Sequence, residues 1–187
     1  EMKYCIECGS EKVALEIPEG DNRERFVCQA CSYIHYQNPR MICGTIPVFE
    51  DKILLCRRAI EPRKGYWTLP AGFMENGETI EEASVRETYE EALAVSVKPQ
   101  LYSIFSLPHI NQVHIFYKCD IKDGKFGAGT ETLESALFSL DEIPWDELSF
   151  RTVIQCIKHY IEDVKTGVFP VRSESLLLPP QELEEHK

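Results

Sequence analysis

The sequence predicts an α/β fold, one mixed sheet between helices, preceded by a small metal-stapled module. Three observations predict it. Two Cys-x2-Cys pairs fall within the first 31 residues. From Met41 onward, short apolar runs separated by turn residues read as strands. Two longer segments, Thr79–Leu93 and Thr152–Lys165, carry the helical period instead. The 187 residues suffice for one ordinary domain plus a small module.

Composition narrows the class. With 43% hydrophobic and 27% charged residues, the chain has the balance of a soluble globular protein. No apolar run approaches the ~18 residues of a membrane helix, and no apolar signal core opens the chain. A cytoplasmic location with no membrane partner is therefore expected. Glu1 ahead of Met2 reads as a remnant of recombinant expression. The net charge of −11 argues against nucleic acid as a partner of the whole chain. A phosphorylated small molecule stays open, because metal ions can screen an acidic site.

The first module is set by Cys5, Cys8, Cys28 and Cys31. Their pattern, C-x2-C-x19-C-x2-C, lies in the range of a zinc ribbon. Zn²⁺ takes four tetrahedral ligands, and two paired knuckles supply them. Gly9 and Ser32 follow the knuckles and suit tight turns. So short a segment with few large apolar groups needs the metal to fold. Two structural disulfides are the alternative, disfavoured without an export signal. Cys43, Cys56, Cys119 and Cys156 sit singly among apolar residues and read as core. His35 reads as packing or a substrate contact. Asn38-Pro39 reads as a turn and module boundary, giving a ribbon over 1–38, a main domain over 39–170 and an irregular tail over 171–187.

Met41–Phe49 and Lys52–Arg57 form two expected strands across a Glu50-Asp51 turn. Arg57-Arg58 and Arg63-Lys64 are the densest basic residues of an acidic chain. They read as diphosphate contacts or as a solvated loop. Trp67 reads as a base platform or as packing. Trp67–Gly72 is then a short apolar run ending in a turn.

The stretch Gly72–Ala94 holds the chemistry. Thr79 and Glu82 have capping-box spacing. Glu87, Glu90 and Glu91 share one helix face at i, i+3 and i+4. Three carboxylates on one patch repel, and a hard divalent cation such as Mg²⁺ offsets that repulsion. The turn brings the Ala71–Gly72 backbone toward this face, where the Ala71 carbonyl could add a ligand. The plain alternative is a solvated acidic helix with a Glu82–Arg86 pair.

Beyond it, Val95–Lys98, Leu101–Leu107, Gln112–Ile121 and Ala136–Leu140 read as strands. The small polar loop Gly127–Thr132 reads as mobile. Glu131 and Glu134 follow. The second helix is amphipathic and stops at Gly167.

Gly72–Ala94 resembles the Nudix box: Gly, five residues, Glu, seven residues, Arg-Glu-apolar-any-Glu-Glu-any-Gly-apolar. Gly72, Glu78, Arg86, Glu87, Glu90 and Glu91 fall in register. Thr88 and Ala94 depart mildly, and Leu93 replaces a glycine that would end the helix in a left-handed turn. The ribbon-plus-Nudix order resembles the zinc-ribbon Nudix hydrolases, and among them the plant chloroplast FAD/ADP-ribose pyrophosphatases and their bacterial relatives. Tyr36-Gln37-Asn38-Pro39, Trp67–Gly72 and Glu134 with Leu137–Pro144 carry that likeness. The bacterial NADH pyrophosphatases carry a Ser-Gln-Pro-Trp-Pro-Phe-Pro run where Ser103–Pro108 stands here.

The resemblance implies a Nudix α/β/α sandwich and hydrolysis of a dinucleotide diphosphate with Mg²⁺ or Mn²⁺. It implies metal ligands at Ala71, Glu87, Glu90 and Glu91, and Arg86 pinning Glu87 or Glu78. The general base is Glu134, Glu131 or Glu90. Substrate contacts fall to Arg57, Arg58, Trp67 and Gly72. FAD ranks first, ADP-ribose next, NADH third and nucleoside triphosphates last; FAD gives AMP plus FMN, ADP-ribose gives AMP plus ribose 5-phosphate. Ring platforms are sought among Trp67, Phe73, Tyr102 and Phe105. A homodimer is expected. The competing classes are an NADH pyrophosphatase, RNA-end decapping, for which no basic groove is visible, and a ligand sensor, against which the intact glutamates speak.

Overall fold

A computed structural model describes residues 2–177. The chain divides between Asn38 and Pro39. The first unit is a three-stranded antiparallel sheet of β1 (Val13–Glu16), β2 (Arg25–Cys28) and β3 (Ile34–His35). Val13 lies opposite Cys28, and His35 opposite Phe26, so His35 is a ladder residue.

The second unit is built on an eight-stranded mixed sheet. Its strands are β4 (Arg40–Phe49), β5 (Lys52–Arg58), β6 (Trp67–Thr68), β7 (Ala71–Phe73), β8 (Ser96–Leu107), β9 (Gln112–Ile121), β10 (Thr132–Phe138) and β11 (Arg172–Ser175). The order is β10-β5-β4-β9-β8-β11. The β4–β9 and β8–β11 pairs are parallel and the others antiparallel. β4 and β5 meet only at Val48–Ile53 and Phe49–Lys52. They then splay, and the gap is filled by β6 on β5 and β7 on β4. This wedge fixes the Ala71–Gly72 backbone within the sheet. The Glu50-Asp51 turn has both residues at positive φ, 47° and 62°, the twist that a two-residue hairpin favours.

Helices α1 (Ile80–Ala92) and α2 (Arg151–Thr166) cover opposite faces. Alternation along β5 shows it. Ile53 and Leu55 join the large core with Val153, Cys156, Ile157 and Tyr160 of α2, whereas Leu54 and Cys56 join a smaller cluster with Ala92 of α1. Cys43, Cys56, Cys119 and Cys156 are buried free thiols in these layers. Among the described residues, no helix is long and apolar enough to cross a membrane.

Four expectations need correction. The expected strands Val95–Lys98 and Leu101–Leu107 merge into one, β8, which starts at Ser96 and has irregular register near Lys98, whose φ is 52°. β10 starts at Thr132, ahead of the expected Ala136, because β5 extends to Arg58 and offers Thr132 a partner. The segment after 170 is not irregular throughout. Arg172–Ser175 adds a parallel strand to β8, held by Arg172 donating to buried Asp163 of α2 at 2.7 and 2.5 Å. Pro179-Pro180 and the acidic end lie outside the described residues. Lastly, the Gly127–Thr132 loop is tethered. The N–H of Gly127 donates to Ala92 O at 2.6 Å and that of Gly129 to Glu91 O at 2.9 Å, closing the last turn of α1.

Candidate active site and metal centres

Helix α1 begins with the capping box the sequence specifies. Thr79 Oγ1 accepts from Glu82 N, and the Glu82 carboxylate accepts from Thr79 N. Glu82 is thereby engaged at the cap, and Arg86 pairs elsewhere. At the other end, Leu93 takes the left-handed conformation (φ 50°, ψ 27°) that a glycine would adopt freely, its N–H donating to Tyr89 O. Thr88, in a slot the family fills with an apolar residue, is fully buried, and its hydroxyl meets that of Thr45 at 2.6 Å. This pair fastens α1 to β4.

Arg86 organises the acidic side chains. Its Nε and Nη2 clasp Glu78 at 2.5 and 3.0 Å, Nη1 reaches Glu87 at 2.7 Å and Glu90 at 3.0 Å, and Nη2 also reaches Phe73 O at 3.1 Å. The bidentate clasp goes to Glu78, whose carboxyl it holds below its ordinary value. Glu87 lies against the backbone of Gly72. A Cβ there would come within 2.3 Å of the Glu87 carboxylate. Clearance for Glu87 thus explains Gly72, where the sequence suggested a substrate contact. Glu91 Oε2 accepts from Ala71 N at 3.2 Å, which sets residue 71 beside the carboxylates. Glu90 is the outlier, its side chain 57% exposed and reached through Arg86.

Burial pushes the Glu87 carboxyl up, against the pull of Arg86. Burial pushes Glu91 to about 8, and the charges of Glu87 and Glu131 add to the shift. Partly buried carboxyls driven from their ionised form by desolvation and each other are a fitting seat for a divalent cation. Gly129 approaches α1 so closely that a Cβ would lie 1.7 Å from Glu90 O. The loop that follows carries Glu131 toward Glu87 and Glu91, whose ionisation it opposes. Glu134 sits differently. It pairs across strands with Arg57, and their side chains form an ion pair at 2.9 Å. By strand alternation both project to the α2 face, away from the glutamates. Of the three base candidates, Glu134 is thus the one engaged by Arg57.

Trp67 is also corrected. It is 7% exposed and packs edge-on against Phe138 at 4.9 Å, in the core. Tyr102 and Phe105 are buried as well. Of the ring candidates only Phe73 is open, 48% exposed, with Arg40 over its ring at 5.6 Å. The pair borders an open groove of about 400 Å³ that also includes Met41, Met74 and Asn76.

In the ribbon, the four sulfurs lie within 4.8 Å of one another. Cys5 and Cys31 are 3.7 Å apart, and Cys8 and Cys28 3.6 Å. Tetrahedral Zn–S bonds of about 2.3 Å require S···S separations of about 3.8 Å. All four are free thiols, so the disulfide alternative is not what the structure shows. Gly9 and Ser32 turn each knuckle at φ of 74° and 62°. The backbone N–H of Cys31 and Ala30 beside Cys28 lower its thiol to about 6. The donor set fits zinc.

Comparison with known proteins agrees with this geometry. Residues 39–155 match the NUDIX domain family, and residues 3–37 match the family described as Nudix N-terminal, a zinc ribbon. The chain belongs to the Nudix family, as a pyrophosphohydrolase with an N-terminal zinc-ribbon module. An ADP-ribose pyrophosphatase of Methanocaldococcus jannaschii is 35% identical over 118 residues, covering 60% of this chain and 69% of that protein. The NAD-capped RNA hydrolase NudC of Vibrio parahaemolyticus is 26% identical over 76% of this chain. The chain spans about half of that relative, 53%. A crystal structure of a Nudix hydrolase from Nitrosomonas europaea superposes with a TM-score of 0.91 at 46% identity, covering 95% of this chain and all of that one.

Proposed function

We propose that this chain hydrolyses the diphosphate bond of nucleoside diphosphate derivatives, releasing AMP with ribose 5-phosphate from ADP-ribose or with FMN from FAD. The observation that carries the reading is the pair Glu87 and Glu91, partly buried, aligned at i,i+4 and pushed up by desolvation beside Ala71. Glu87, Glu91, the Ala71 carbonyl and the more exposed Glu90 would hold Mg²⁺ or Mn²⁺. Such an ion neutralises diphosphate charge and lowers the barrier to attack at phosphorus. Arg86 keeps Glu87 and Glu90 oriented through one nitrogen, Nη1. A water attacking phosphorus must give up a proton, and Glu131 is the carboxylate set to receive it. Phe73 offers the exposed ring face on which a base can stack, worth about 1–3 kcal/mol.

The archaeal relative moves ADP-ribose to first place, with FAD beside it on the phrases shared with the plant enzymes. A second reading, NADH or an NAD-capped RNA end, is supported by the Vibrio relative, whose name gives NAD-capped RNA as its substrate. Against it stands Ser103–Pro108 in place of the NADH-type run, and for RNA the net charge of −11. Zinc serves the ribbon's fold. A cytoplasmic homodimer completes the proposal, and a monomer mass by light scattering would remove the dimer. The deciding experiment measures kcat/KM for ADP-ribose, FAD, NADH and a nucleoside triphosphate at one Mg²⁺ concentration. A tenfold advantage for NADH or the triphosphate overturns the substrate order. No turnover of any of the four overturns the assigned reaction.

A further inference from the structure

Helix α1 carries an apolar face that neither the sheet nor the carboxylate cluster uses. Its buried residues are Ala83, Ser84, Thr88 and Ala92. On another side Val85, Tyr89 and Leu93 recur at intervals of four and form one stripe. Val85 is partly covered, but Tyr89 is 54% and Leu93 46% exposed. The turn after β9 lengthens the stripe. Lys122 N donates to Val95 O at 2.9 Å, Gly127 N donates to Ala92 O, and a Cβ on Gly127 would lie 3.1 Å from Leu93 Cδ1. Val95 and Phe126, both exposed, therefore flank Leu93. The whole stripe lies within the second unit. Contiguous exposed apolar side chains of this size mark an interaction surface.

The two ends of the stripe differ in charge. Glu81, one turn before Val85, closes the amino end, beside Glu82, which the cap engages. The last turn of α1 has no basic residue. Cations come instead from Lys122 and Lys125 of the turn and Lys98 of β8, with Asp123 among them. Among the described residues, Glu81, Lys98, Lys122 and Lys125 enter no ion pair. Such a surface complements itself. A two-fold axis through Tyr89, perpendicular to α1, sets Val85 against the partner's Leu93. Glu81, about 12 Å along the helix from Tyr89, then meets the basic end of the partner. A two-fold axis parallel to α1 would bring like charges together, which costs free energy.

We propose that the Val85–Tyr89–Leu93 stripe, extended by Val95 and Phe126, is the face on which two copies of this chain pair. The helices run antiparallel about Tyr89, with Glu81 opposite the partner's Lys122 and Lys125. Pairing holds α1 from outside while the sheet holds it from within. This inference rests on the homodimer reading, and the experiment separates the two.

Sedimentation of the full chain from about 1 to 100 µM gives the dimer Kd. Circular dichroism checks that each variant is folded. The variants are Tyr89→Glu, Glu81→Lys, and Lys122→Glu with Lys125→Glu. We expect wild type to dimerise and Tyr89→Glu to raise Kd about tenfold or more. Each charge variant alone should raise Kd about threefold or more, because both ends of its dimer then carry like charges. An equimolar mixture of the two charge variants should dimerise within about threefold of wild type, since opposite charges face each other again at both ends. That recovery also shows both variants to be folded. A wild-type dimer whose Kd is unchanged in Tyr89→Glu, or a mixture no tighter than its components, overturns this interface and leaves the homodimer standing. A monomer at every wild-type concentration overturns both.

Discussion

Glu91→Gln separates what the site costs the fold from what it gives the chemistry. In the metal-free protein Glu91 is raised from 4.5 to about 8, chiefly by burial. The folded chain therefore keeps a proton that the unfolded chain has released, and stability falls as pH rises from about 4.5 to 8. At about 1.36 kcal/mol per pH unit, the ceiling of this loss is about 5 kcal/mol. Water entry and local relaxation will halve it to about 2–3 kcal/mol. Glutamine keeps the shape, can still accept from Ala71 N, and carries no charge to desolvate. The metal-free variant should then melt about 5–10 °C above wild type at pH 8, at about 2–4 °C per kcal/mol for a domain this size. Near pH 5 the two should coincide. Excess Mg²⁺ should narrow the gap at pH 8, because wild type gains binding free energy that the variant loses. The same variant should lose about 10²-fold or more in kcat. Calorimetric melts from pH 5 to 8, with and without Mg²⁺, make the test. A gap that does not grow with pH, or a variant less stable at pH 8 without metal, refutes the account of Glu91.

Three further outcomes follow from the same geometry. Glu131→Gln should cut kcat about 10²-fold or more with the fold intact, whereas Glu134→Gln should change kcat less than threefold, since it loses only a half-exposed pair worth under about 1 kcal/mol; steady-state kinetics of both variants decide, and the reverse ranking restores Glu134. Gly72→Ala should displace the Glu87 carboxylate and weaken Mg²⁺ dependence about tenfold or more, read as the Mg²⁺ concentration at half-maximal activity; an unchanged midpoint shows that the clearance is not needed. Elemental analysis of protein purified under reducing conditions should give close to one zinc per chain, and Cys8→Ser should abolish it with loss of ordered signals from residues 3–37; a full zinc complement in that variant would exclude Cys8 as a ligand.

Much of the site is legible in sequence because local spacing fixes it. Thr79 and Glu82 define the cap, the i,i+4 interval aligns Glu87 with Glu91, and paired Cys-x2-Cys knuckles gather four sulfurs, all through backbone geometry a few residues long. Which face of the sheet a distant strand presents is not local. Glu134 looks like a base in one dimension, yet the irregular register between Thr132 and Glu134 turns it to the α2 side, into Arg57. Trp67 has the composition of a platform, but the splay of β4 from β5 draws it into the core. Gly129 and Gly127 suggest mobility until their amides are seen to close α1. The strand Arg172–Ser175 forms because Asp163, nine residues earlier, takes the guanidinium of Arg172, a pairing with no periodic signature. The sequence by itself determined the helix, its carboxylates and the metal-binding knuckles, since short-range periodicity needs no partner. Tertiary structure alone decided how two adjacent arginines are engaged, that Glu134 pairs with Arg57 and which of the aromatic candidates is exposed, because each depends on strand register and burial set by residues far away in the chain.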